Sequence, residues 1–245
     1  FISIFYAENF PEALITFSQY FNIFTSFIIF LIVIQRIDNI NFILRVFFAA
    51  FIIEVLYSFF PILNDLQNGE IKARSMRYMG LSANVNITSF SIVFKLPIVF
   101  YYLNKAKNTL QRLSLLLLLT MTFFLIFILG TRGALLGMMI CMIIYIFDLV
   151  KNNLELKNKI KALSIIFFAL IVSTIFNLIV LKDTTSINVL NRAATISIST
   201  KDGSVNQRLR YYKQGLESFV NNPLTGLGLG NWKLKGIESD KENII

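Results

Sequence analysis

The chain has 245 residues, of which 56% are hydrophobic, 14% aromatic and only 15% charged, against about 25% charged in an ordinary soluble domain. Together with a mean hydropathy of +0.66, this excludes a disordered chain, a collagen-like fibre and a soluble cytosolic enzyme, and a single cysteine, Cys141, excludes a disulfide scaffold. What remains is an all-α integral membrane protein with several spanning helices.

In chain order, Phe1 to Tyr6 reads as the tail of an earlier span, and Glu8-Asn9-Phe10-Pro11 as a loop leading into a helix. Nothing in hydrocarbon satisfies an open backbone, so each crossing needs roughly 20 predominantly apolar residues. Six stretches meet that need, at 13–35, 42–63, 87–103, 113–130, 134–150 and 162–181. The third carries Lys95 and Pro97 and is expected to be kinked or short. Residues 1–181 form the helical bundle on this reading, and 182–245 a large outer loop. The chain begins at Phe1 and ends in a charged stretch, so we expect an internal piece of a longer protein.

Within the loop, Leu209, Tyr212, Leu216 and Phe219 recur at spacings of three and four, which predicts an amphipathic surface helix over 207–220. Ser204 with Gln207 fits a capping box at its start, and Asn221-Asn222-Pro223 ends it.

The balance of 23 Lys+Arg against 14 Asp+Glu gives +9. Because the basic residues fall between apolar blocks, they point to membrane lipids and not to nucleic acid. Lys105, Lys107 and Arg112 occupy one short loop, and Lys151, Lys157, Lys159 and Lys161 another. Basic short loops lie on the cytoplasmic side, and two spans separate these loops, as that placement requires. The turn 130–133, the loop 64–86 and the tail then face outward. Lys72, Arg74 and Arg77 in the 64–86 loop dissent, offset by Asp65 and Glu70.

Three outward-facing features carry possible chemistry: Asn84-Val-Asn86-Ile-Thr88 at the start of the third span, the turn Thr131-Arg132-Gly133, and Arg208-Leu-Arg210-Tyr-Tyr212 followed by Pro223-x-x-Gly226-x-Gly228-x-Gly230. Arg132 reads either as a snorkelling charge at a helix end or as an anion contact, since arginine holds phosphate at two points and flanking glycines admit a ligand. Arg208 and Arg210 read as solvated or headgroup-contacting residues, or as anion contacts of the same kind. The glycines lack the strand and helix of a dinucleotide loop and fit a close turn after Pro223. Glu54 and Lys95 lie deep in spans and need partners, most simply each other across helices. Cys141 reads as a small packed residue. No His occurs anywhere, which removes the commonest general base and His-ligated metal sites.

These motifs, in this order, resemble the O-antigen ligase/polymerase family of bacterial envelope glycosyltransferases. Asn84 to Thr88 is similar to the family's Asn-Pro-Asn start of a span, with Val85 in place of proline. Thr131-Arg132-Gly133 is similar to its Ser-Arg-Gly turn, with Thr131 in place of serine. Arg208, Tyr212 four residues on, and the glycine-spaced segment after Pro223 resemble its outer-loop signature.

The resemblance implies transfer of a glycan from undecaprenyl diphosphate to a sugar hydroxyl at the outer face of the bacterial cytoplasmic membrane. The acceptor would be lipid A core or a growing polysaccharide. Such enzymes invert the anomeric centre and need no metal, cofactor or nucleotide sugar. Arg132 and Arg208 would contact the diphosphate, with Arg210, Tyr212, Asn84, Asn86, Gly226 and Gly228 in support. The family's presumed general base is a His beyond the glycine-rich turn. That residue is expected past Ile245, so this stretch alone is expected to be inactive. Alternatives are a protein O-oligosaccharyltransferase, a bicarbonate-type transporter working through Glu54 and Lys95, or an inactive homologue.

Overall fold

A computed structural model describes residues 4–5, 7, 9–37, 39–69, 78–82, 84–151, 155–180, 203–223, 226, 228–229 and 231. Helix α1 (Phe10–Arg36) starts where the sequence supplies a cap. Asn9 Oδ1 accepts the Glu12 N–H at 3.2 Å, and Pro11 occupies the first turn, where its missing N–H is harmless. Asparagine caps recur at α2 (Ile40–Gln67, Asn39), α3 (Val85–Lys105, Asn84) and α4 (Thr109–Leu129, Asn108). Helices α5 (Arg132–Lys151), α6 (Leu156–Val180) and α7 (Gly203–Asn221) follow, with a 3-10 turn at Gly80–Ser82 ahead of α3.

Among the described residues, α1 to α6 are each long and apolar enough to cross a bilayer, so the protein is an all-α integral membrane protein. The helices begin before the apolar stretches that predict them, because their caps and polar first turns need no hydrocarbon. The third span is not short: α3 runs 21 residues with Pro97 inside it. Proline leaves the carbonyl four residues back without its usual donor. That carbonyl belongs to Val93, and Cys141 Sγ of α5 lies 3.9 Å from it as a weak donor. A neighbouring helix thus makes good what the proline removes.

Two compact units divide the chain: Phe1–Asp38 with Ile198–Ile245, and Asn39–Ser197. In the second unit α4 is the most enclosed helix, with Thr122 to Leu129 all buried. It pairs chiefly with α6, while α3 pairs with α5.

Small residues set both seams, as lipid-embedded helices require for close approach. On α5, Gly133, Gly137 and Cys141 recur every fourth residue facing α3; a Cβ on Gly133 would meet Phe90 Cζ at 2.6 Å, and one on Gly137 would meet Val93 Cγ1 at 3.1 Å. On α6, Ala162, Ile166, Ala169, Ser173 and Asn177 form the buried stripe, and Ser173 Oγ lies 2.8 Å from the Thr120 carbonyl of α4.

The C-terminal end of α2 is tied down by Tyr78, whose hydroxyl donates to Asp65 Oδ2 at 2.8 Å, both side chains being buried. Glu70, Lys72, Arg74 and Arg77, which bore on the sidedness of this loop, lie outside the described residues. Gly80 follows with φ +60, and a Cβ there would collide with Ser58 Oγ, whereas Gly69 at φ +68 faces open space. Each Gly→Ala change costs about 1 kcal/mol for the left-handed backbone. Gly80→Ala is expected to lose roughly 1–3 kcal/mol more from overpacking. Thermal unfolding of the two variants in detergent separates the clash from the backbone cost.

In the first unit, α1 exposes nearly all its apolar side chains, as a lipid-facing span does. Helix α7 starts at Gly203, which puts Ser204 inside the helix and not at the predicted cap. The Ser204 and Gln207 side chains lie outside the described residues. The helix ends at Asn221, as Asn222-Pro223 predicts. Leu209, Tyr212, Leu216 and Phe219 form an exposed apolar stripe along it, with Lys213 and Glu217 paired at 3.9 Å.

Candidate functional site

The first two sequence motifs meet in space. Asn84 Oδ1 caps α3 by accepting from the N–H groups of Asn86 (2.9 Å) and Ile87 (3.4 Å). That fixes the first turn of α3, where Asn86 and Ser89 stand three residues apart on one face. Across from them, α4 stops at Gly130, whose φ of +57 is the left-handed cap that favours glycine. Its N–H bonds to Ile126 O at 3.1 Å, and the chain reverses into α5 through Thr131 alone.

Thr131 is buried and joins the two motifs: its hydroxyl lies 3.4 Å from Asn86 Oδ1 and 3.0 Å from Ser89 Oγ. Ser89 Oγ is also 2.7 Å from the Val85 carbonyl, so two hydroxyl protons serve three acceptors. Nearby, Ser82 Oγ lies 2.5 Å from Thr88 Oγ1, and both hydroxyls reach the Met79 carbonyl. The result is a hydrogen-bonded polar layer at one end of the spans.

Arg132 rises from this layer as the first residue of α5, half-buried, with the Thr131 carbonyl closing the first helical bond to Leu135 N–H at 3.0 Å. A guanidinium at a helix N-terminus adds a fixed cation to the positive end of the dipole. This arrangement is chemically suited to an anion with several oxygens.

Thr131→Val keeps the shape and removes the hydroxyl. We expect a loss of about 1 kcal/mol of stability and a fall in activity, whereas Thr131→Ser is near neutral. Unfolding and transfer assays on the two variants check this.

The structure places the remaining predicted residues in the other unit. Arg208 and Tyr212 are exposed, one turn apart on α7, and the Arg210 guanidinium carbon lies 5.8 Å from the Tyr211 ring centroid. Gly226 (φ +63) and Gly228 (φ +81) form the close turn expected after Pro223, with Gly226 N–H bonded to Asn222 O at 2.9 Å. Gly230 lies outside the described residues. The turn leads to Asn231, buried, whose Oδ1 accepts the Asn9 N–H at 3.2 Å and so ties it to the start of α1.

Glu54 and Lys95 form the cross-helix ion pair that the sequence called for, joining α2 to α3. Ser91 completes it, donating to Glu54 Oε2 at 3.1 Å and accepting from Lys95 Nζ at 2.7 Å. Sequence reasoning missed Ser89 and Ser91. Their signal was present, since Ser89 stands three residues from Asn86 and Ser91 four from Lys95. No group of three or more His, Cys, Asp or Glu placed to hold a metal occurs among the described residues.

Fold and site together define a polytopic helical membrane protein that presents a fixed cation on a hydrogen-bonded layer at one end of its spans. The chain belongs to the O-antigen ligase family, which matches residues 114–244, from α4 through the Arg132 turn and α7. Membership makes it a glycosyltransferase-type protein of polysaccharide biosynthesis that works on lipid-linked glycans. No curated protein and no solved structure matches the chain.

Proposed function

We propose that the protein transfers a glycan from undecaprenyl diphosphate to a sugar hydroxyl at the outer face of the cytoplasmic membrane, as an O-antigen ligase or polysaccharide polymerase. The acceptor hydroxyl attacks the anomeric carbon from the face opposite the diphosphate and gives up its proton to a general base. The carbon–oxygen bond to phosphate breaks, the configuration inverts, and the diphosphate leaves with one more negative charge. That charge is what the protein must stabilise.

The observation that carries this reading is Arg132, held at the α5 N-terminus by the Asn86–Ser89–Thr131 hydrogen bonds. The basic loops at 104–112 and 151–161 support an outward orientation for that end. The donor's polyprenyl tail can remain in hydrocarbon while its diphosphate reaches this layer. Arg208 is proposed as a second diphosphate contact, and Arg210, Tyr212, Asn84, Asn86, Gly226 and Gly228 as support, on the ground of the family motifs. The mutual pairing of Glu54 and Lys95 favours a structural role for both over a transport pathway.

The test uses the intact gene product in nanodiscs with a synthetic undecaprenyl-diphosphate glycan and a sugar acceptor. We expect undecaprenyl diphosphate to be released as inverted product forms, with no loss in EDTA. Retention of configuration, a need for metal, or activity only with a nucleotide sugar would overturn the corresponding part of the reading.

A further inference from the structure

The end of α3 remote from Asn84 carries a different feature. Where α3 runs into α4, beside the first turns of α6, a cavity of about 650 Å³ opens. Lys105, Lys107, Arg112 and Lys161 line it with Asn104 and Asn158, and no carboxylate does among the described residues. The floor is apolar, formed by buried Leu103 and Ala162.

Two of the cations are already positioned. Arg112 Nη2 donates to the Ala106 carbonyl at 3.2 Å, and Lys105 Nζ sits 4.4 Å above the Tyr101 ring centroid and bonds its hydroxyl. The ammonium groups of Lys107 and Lys161 have no hydrogen-bond or ion-pair partner among the described residues. Glu155 accepts from Asn158 Nδ2 at 3.4 Å and is not among the residues that line the cavity.

Four like charges converging with no counter-charge among the described residues repel one another, and an anion removes that repulsion. An adjoining cavity of about 260 Å³ shares Lys105 and Ala106 and is walled by Phe48, Tyr102 and Leu115. A charged mouth at the ends of spans, continuous with an apolar slot, matches a lipid better than a soluble ion, since it receives both a phosphate and the start of an acyl chain.

We propose that this cavity binds the phosphate headgroup of an anionic phospholipid, of the phosphatidylglycerol type. The site is independent of glycan transfer and lies at the opposite end of α3 from the Arg132 layer. Lipid bound there bridges the α3–α4 connection and the start of α6.

Delipidated protein in detergent is titrated with phosphatidylglycerol, phosphatidylcholine and inorganic phosphate, and binding is read by native mass spectrometry and thermal shift. We expect phosphatidylglycerol to bind in preference to phosphatidylcholine. The double variant Lys107→Gln/Lys161→Gln removes two exposed charges that have no partner among the described residues, and it should fold normally. It is expected to bind phosphatidylglycerol roughly 25-fold more weakly, at about fivefold per cation. Lys151→Gln/Lys157→Gln removes the same charge from exposed residues outside the cavity and should bind as the parent does. Equal binding of the two lipids, equal weakening in the two double variants, or saturation by inorganic phosphate alone would each overturn the proposal.

Discussion

Replacing Arg132 with alanine is expected to lower glycan transfer about 10²–10³-fold, the usual loss when one donor to a developing negative charge is removed. The amount of protein in the membrane should not change, because Arg132 is the first residue of α5 and its side chain is half-buried. The turn is shaped by its neighbours: Gly130 terminates α4 and the Thr131 hydroxyl ties the turn to α3.

Arg132→Lys keeps the charge but loses the planar two-point contact, so partial recovery is expected. Arg132→Gln keeps length without charge and should match alanine. The rates come from the intact enzyme with its lipid-linked donor, beside immunoblots of membrane fractions. If Arg132→Ala stays within a few-fold of the parent, the residue only sets topology, and the diphosphate reading loses its best-supported cation.

The second large effect is on stability. Glu54→Ala or Lys95→Ala leaves one charge buried and unpaired between α2 and α3, where the Glu54 and Lys95 side chains are only 8% and 19% exposed. Breaking such a pair costs roughly 3–5 kcal/mol. The double change Glu54→Leu/Lys95→Met removes both charges at similar volume and should recover most of that loss. Ser91 then needs its own check, since it bonds both partners; Ser91→Ala is expected to cost about 1 kcal/mol.

Thermal unfolding in detergent gives the ordering. Single variants that melt with the parent would show that the pair contributes nothing. A double variant that folds well and still transfers glycan would separate the midspan charges from function altogether. Loss of transfer in that well-folded variant would give the pair a part in the transfer itself.

Much of the architecture was written along the chain. Six apolar stretches located the membrane-crossing helices, because hydrocarbon allows a backbone to cross only if each N–H and C=O is satisfied within its own segment. Asn9, Asn84 and Pro223 marked the start or end of helices, because capping and termination are local events. The Ser204 capping box failed for a related reason. A Ser-x-x-Gln spacing is also compatible with a helix that has already begun, and α7 begins at Gly203. The site motifs were legible as residue types in order, and the family match over 114–244 covers two of the three.

Which side chains meet across helices was not legible, because it depends on how each helix is rotated and how closely its neighbour approaches. Gly133 and Gly137 allow α5 to sit hard against α3, and that contact brings Thr131 to Asn86 and Ser89, and Cys141 to the carbonyl freed by Pro97. The packing of α4 and α6 beside the end of α3 gathers Lys105, Lys107, Arg112 and Lys161 around one cavity. By itself the sequence determined which of the described segments are apolar enough to cross, which residues cap several of them, and which carry charge, since these follow from local bonding and hydrophobicity. The tertiary structure alone decided that a threonine would hold the arginine's turn in place and that scattered basic residues would share one mouth, since both depend on contacts between residues far apart in the chain.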